Sequence, residues 1–226
     1  MIETEKDSGV KFLDLEIMGS KLYVSTDEDF HYSILIYDLK DFGNGSPKPK
    51  VSVMVPEAST PYVSRIVDSH RHDSGYAYGC LAKHESLEQL FLIYIMCNVI
   101  YKPEHVDSWS PEFVTSPEIT AVEVFKLDMN KEPLQWIKCL SLDDNVIFVS
   151  GITSMVMSRA ALNSTDQELI RENSVYFALS FQCPSDPWQG VRLGVKHLTD
   201  SSVKYFSVRK SNHSKVPYPF WFVPSI

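Results

Sequence analysis

The side chains best arranged to hold a metal are His70 and His72, which on a strand share one face, with Asp73 next along the chain. A structural zinc needs a fourth ligand, yet Arg71 stands between the two histidines and no second cluster matches them. The same residues, running into Ser74-Gly75, also read as an exposed polar loop. Cys80, Cys97, Cys139 and Cys183 lie 17, 42 and 44 residues apart, with no close pair of the kind that builds a zinc knuckle or a redox-active dithiol. They are expected to be small core residues in a reducing compartment. There is no Gly-x-Ser-x-Gly elbow, no Gly-x-x-x-x-Gly-Lys loop and no Gly-x-Gly-x-x-Gly fingerprint, and nothing links serine, histidine and aspartate by spacing. No catalytic residue, metal site or cofactor is assigned, and the chain is expected not to be an enzyme.

Recognition is the remaining class of chemistry. Trp188, between Pro187 and Gln189, is the aromatic hardest to place on a core strand. It suits an anchor for a protein partner, or burial beneath its own loop. Residues 192–215 hold Arg192, Lys196, Lys204, Arg209, Lys210 and Lys215 against the single acid Asp200, a stretch of +5 that leaves −13 elsewhere in a chain of net charge −8. Lysines of this kind guard solvent-facing or edge strands, and they also suit recognition of an acidic partner. Trp188, Arg209 and Lys210 are the partner-binding candidates, with the loops Lys102 to Pro117 and Cys183 to Gly190, because exposed loops on a rigid scaffold carry binding. The acidic average argues against a surface devoted to nucleic acid or anionic lipid.

The elements that position these residues are strands. Leu13, Leu15 and Ile17 alternate with Phe12, Asp14 and Glu16, Gly19-Ser20 supplies a two-residue hairpin turn, and Lys21 to Thr26 returns. Ser33 to Leu39 and Lys50 to Val55 complete a first set of four. Gly75 to Ala82, Gln89 to Tyr101, Thr120 to Leu127 and Leu134 to Leu140 make a second. A third runs through Asn145 to Ser150, Ser154 to Arg159, Ser174 to Ser180 and Val191 to Leu198, with Val203 to Val208 and Pro219 to Val223 beyond it. Repeated four-strand meanders indicate propeller blades, although a β-sandwich gives similar counts. The one helical signal has Asn163 or Ser164 as N-cap, Gln167 as the partner that reaches back, and Leu162, Leu169 and Ile170 as apolar contacts. The longest apolar stretch, Leu90 to Ile100, is interrupted by Asn98 and is too short to span a bilayer. Met1 to Gly9 carries charges in place of an apolar run, so no secretory signal is read, and the sequons at Asn44, Asn163 and Asn212 are taken as chance.

Four signatures in order resemble the KIB-type β-propeller of plant F-box proteins. They are Phe12-Leu13-Asp14-Leu15 to Gly19-Ser20-Lys21-Leu22-Tyr23; Val122-Glu123-Val124-Phe125-Lys126-Leu127-Asp128 followed by Trp136; Ser141-Leu142-Asp143-Asp144 through Ile147-Phe148-Val149 to Glu172-Asn173-Ser174-Val175-Tyr176-Phe177; and the ending Trp221-Phe222-Val223-Pro224-Ser225. Each also has a structural explanation, since Phe125, Leu127, Tyr176 and Phe177 suit buried blade strands and Asn173 suits a turn into a strand.

The resemblance implies an all-β chain, a β-propeller of four-stranded antiparallel blades forming a partial ring of about three to four blades. Residues 1–226 are then a single propeller-type domain, matching the C-terminal portion of the family domain and lacking the F-box that docks a Skp-type adaptor. The function it implies is non-enzymatic recognition of a protein partner, in the family setting for ubiquitin ligation by a cullin complex. The alternatives are a stand-alone or decoy binding protein and a propeller enzyme. A Skp-type adaptor is a partner only if an F-box lies upstream; neither nucleic acid nor membrane is expected, and the location implied is nucleus or cytoplasm. An opened arc exposes blade faces that a ring covers, so the isolated chain is expected to be marginally stable or to rely on a partner.

Overall fold

A computed structural model describes residues 11–28, 31–43, 45, 47–54, 74–99, 118–151, 153–180, 191–200 and 202–206. The first sheet is the antiparallel order β1 (Lys11–Met18), β2 (Lys21–Glu28), β3 (His31–Asp38) and β4 (Val51–Met54). Gly19 takes φ +59°, the left-handed value that a two-residue hairpin requires at its first turn position and that an L side chain adopts only with strain. Between β3 and β4 a 3-10 turn (Leu39–Gly43) is held by Lys50, whose ammonium lies 3.4 Å from Asp38 and 3.1 Å from Asp41. Cross-strand pairing puts Tyr23, Ile34, Ile36 and Val53 on one face, and Leu15, Ile17, Leu22, Val24 and Leu35 on the other.

The second sheet, β5 (Ser74–His84), β6 (Gln89–Val99), β7 (Glu118–Asp128) and β8 (Gln135–Lys138), is also an antiparallel meander. Every residue of β6 from Leu90 to Cys97 is buried, because this sheet is covered on both sides. Leu81, Leu90, Leu92, Tyr94, Phe125 and Leu127 pack against the inner face of the first sheet. Ile93, Ile95, Val122 and Val124 pack against Ile147, Val149, Val175 and Phe177 of the third. Burial of this aliphatic surface, at roughly 25 cal/mol per Å², is what holds the sheets face to face.

The third sheet departs from the expected meander. Its order is β10 (Ser154–Ser158), β9 (Asn145–Ser150), β11 (Ser174–Ser180), β12 (Val191–His197), β13 (Lys204–Phe206), with β9 and β11 parallel. The short connection after β9 forces a hairpin with β10, whereas residues 159–173 are long enough to carry the chain past β9 to its far side. That connection holds a 3-10 turn (Arg159–Ala161) and α1 (Ser164–Leu169). Asn163 caps α1 by accepting the N–H of Asp166 at 2.9 Å, as expected. Gln167 reaches back to the Leu162 carbonyl at 2.6 Å instead of the cap N–H. Ile170 packs on Val146, Phe148 and Tyr176, but Leu169, expected to join it, is 76% exposed, since a helix of six residues is too short to bury a full stripe. Arg159 closes the segment by donating to the carbonyls of Gln167 and Ile170.

The chain is thus all-β, a partial propeller in which three sheets stack and β1, β5 and β10 lie side by side along one margin. The third blade carries a fifth strand, β13, where the sequence reading extended to Val208. The strand expected at Pro219 to Val223 and the terminal Trp221 to Ser225 signature lie outside the described residues.

Candidate interaction site on the inner strands and the turns

The first strand of each sheet contributes the polar side chains that join one sheet to the next. Asp14 lies on the face of β1 turned to the second sheet, and its carboxylate accepts the N–H of Leu81 on β5 at 2.7 Å and that of Leu15 at 2.8 Å. Burial pushes its carboxyl above the ordinary value of 3.8, opposed in part by those two N–H groups. Lys83 on β5 donates its ammonium back to the Ile17 carbonyl on β1 at 3.1 Å. A backbone group at the margin of each of these two sheets is therefore satisfied by a side chain of the other.

Cys80 and His84 carry the joint from the second sheet to the third. The Cys80 thiol is pushed up to about 12, first by burial, with a hydrogen bond to Ser154 of β10 opposing and the charge of Asp14 adding. At neutral pH it holds its proton and is no nucleophile. His84 is buried, with Nε2 3.2 Å from Asn145 Oδ1 and Nδ1 3.1 Å from Ser86 Oγ. A neutral ring with its proton on Nε2 satisfies both partners, donating to the amide oxygen and accepting from the hydroxyl. Cys80, His84 and Asp14, the chemically versatile side chains on these strands, are all engaged in holding sheets together.

The bonds from Lys83 to Ile17 and from His84 to Asn145 bring the β1–β2 hairpin, the turn after β5 and the start of β9 to one end of the stack. Phe42 in the 3-10 turn after β3, Leu87 (51% exposed) in the turn after β5 and Leu169 at the end of α1 are exposed. Further out, the Tyr205 hydroxyl donates to the Ile119 carbonyl at 3.3 Å and accepts its N–H at 2.9 Å, tying β13 to β7. At the first-sheet face of the second sheet, Lys138 pairs with the buried Glu123 at 2.5 Å.

Trp188, Arg209 and Lys210 lie outside the described residues, as do both candidate loops and the stretch His70 to Asp73. Among the described residues no group of three or more His, Cys, Asp or Glu side chains is placed to hold a metal. Of the basic stretch, Arg192 and Lys196 pair across β11 with Leu179 and Val175 on the face turned to the second sheet, while Lys204 is exposed on the edge strand β13. These three do not form one surface, and Lys204 sits where an edge guard belongs. The sequence reading missed the joints made by Asp14 and His84. Nothing in the sequence marks either joint, because Asp14 holds an ordinary polar place in its alternation. No helix among the described residues is long and apolar enough to cross a membrane.

The family model described as KIB1-4 beta-propeller matches residues 1–207. Neither a curated protein nor a solved structure matches the chain.

Proposed function

Because the chain belongs to the KIB1-4 beta-propeller family, we propose that it is a non-enzymatic protein-interaction module whose stacked blades hold exposed turns and loops in fixed positions for a protein partner. The observation that carries this reading is the use made of β1 and β5: Cys80 is held as a thiol, both His84 nitrogens are occupied, and Asp14 accepts two backbone N–H groups. Side chains committed in this way stiffen a scaffold, and loops on a stiff scaffold carry recognition. The finer reading, by likeness to plant F-box proteins, is capture of a substrate for a cullin-type ubiquitin ligase in nucleus or cytoplasm.

The test is quantitative affinity purification of the tagged chain from cells, repeated with Trp188→Ala and with Arg209→Glu/Lys210→Glu. A partner retained by the parent chain and lost from a variant that still folds supports the interaction reading. Skp-type adaptor and cullin in the same eluate support the ligase role, whereas a partner without them makes the chain a stand-alone or decoy binder. Retention of no partner above background overturns the proposal.

A further inference from the structure

We draw no further inference here: the strongest candidate, the outer face of the first sheet where Leu15 and Ile17 stand 61% and 46% exposed, is an apolar patch for which nothing in the structure shows what covers it.

Discussion

The side-chain oxygen of Asn173 accepts the backbone N–H of Leu142 at 2.8 Å. Leu142 is buried in the core shared by the second and third sheets, so this bond seats the segment that enters β9. Asn173 also donates its own N–H to the Asn145 carbonyl at 2.9 Å and accepts the N–H of Leu198 at 3.0 Å, and its φ is +54°. One residue thereby ties together the entries to β9 and β11 and the exit from β12. Asparagine tolerates the left-handed region better than most residues and supplies the acceptor.

Replacing Asn173 separates these two contributions. Asn173→Ala removes the acceptor and places a less tolerant residue at positive φ; a cost of about 2–3 kcal/mol is expected from an unsatisfied N–H and the strain combined. Asn173→Gly keeps the backbone at ease and loses only the side-chain bond, so its cost is expected to be smaller. Urea unfolding followed by fluorescence gives both values. Equal midpoints for the two variants would show that the left-handed backbone contributes nothing.

Gly194 on β12 has no room for a side chain. A Cβ there would stand 2.4 Å from Phe177 Cζ and 2.7 Å from the Lys204 carbonyl oxygen. Phe177 is fully buried and Lys204 begins β13, so Gly194→Ala must shift a core ring and push β13 away. Overpacking of this kind costs about 1–3 kcal/mol. The loss is expected to concentrate at β13, whose Tyr205 hydroxyl holds Ile119, and hydrogen exchange of the Ile119 amide reads that contact directly. Unchanged protection at Ile119 together with an unchanged Tm would refute this account.

Strand positions are legible from period-two alternation and turn residues such as Gly19, but in β1 the alternation does not report the core face, since Leu15 and Ile17 stand 61% and 46% exposed while Asp14 reaches Leu81. Sheet order in the third blade is not legible, because alternation in β9 and β11 records facing and says nothing of which strand lies beside which. The parallel pairing depends on the length of residues 159–173, which alternation does not record. Asn173 is readable as a turn residue because its tolerance of positive φ is local, whereas its bond to Leu142, 31 residues away, is not readable. The Asp14 joint was not readable, because its partner is the backbone N–H of Leu81, 67 residues away, and a backbone amide leaves no mark in the sequence. Trp188, Arg209 and Lys210 rest on composition and context alone and lie outside the described residues.

Asp14 predicts a pH dependence with a definite sign. Burial raises its carboxyl in the folded chain above the ordinary 3.8, so the folded state holds the proton more tightly than the unfolded state does. Its favourable contribution is therefore complete below the ordinary carboxylate value and is lost as pH rises through the raised one. At neutral pH the half-buried charge costs stability. Asp14→Asn keeps an oxygen for the Leu81 N–H, leaves the exposed Leu15 N–H to water and removes the charge, so the variant is expected to be the more stable form at pH 7, with its advantage shrinking as pH falls towards 4. Paired denaturation curves from pH 4 to 8 measure this difference. A variant less stable than the parent at pH 7 would mean that the charged bond to Leu81 outweighs the desolvation of the carboxylate.

Cys80 offers the last test, of the joint between β5 and its neighbours β1 and β10. With its thiol pushed up to about 12, the reactive thiolate at pH 8 is on the order of one part in ten thousand, and burial blocks the reagent as well. Iodoacetamide added to the native chain is therefore expected to leave Cys80 unmodified for hours, and addition in concentrated urea to modify it at the rate of an ordinary cysteine. Peptide mapping by mass spectrometry assigns the label to Cys80 in the presence of Cys97, Cys139 and Cys183. The native labelling rate then reports how often β5 parts from β1 and β10. If the isolated chain is only marginally stable, that rate rises steeply on mild warming well below the main unfolding transition. Protection that persists up to the main transition would instead mean that the three-sheet stack is stable without a partner.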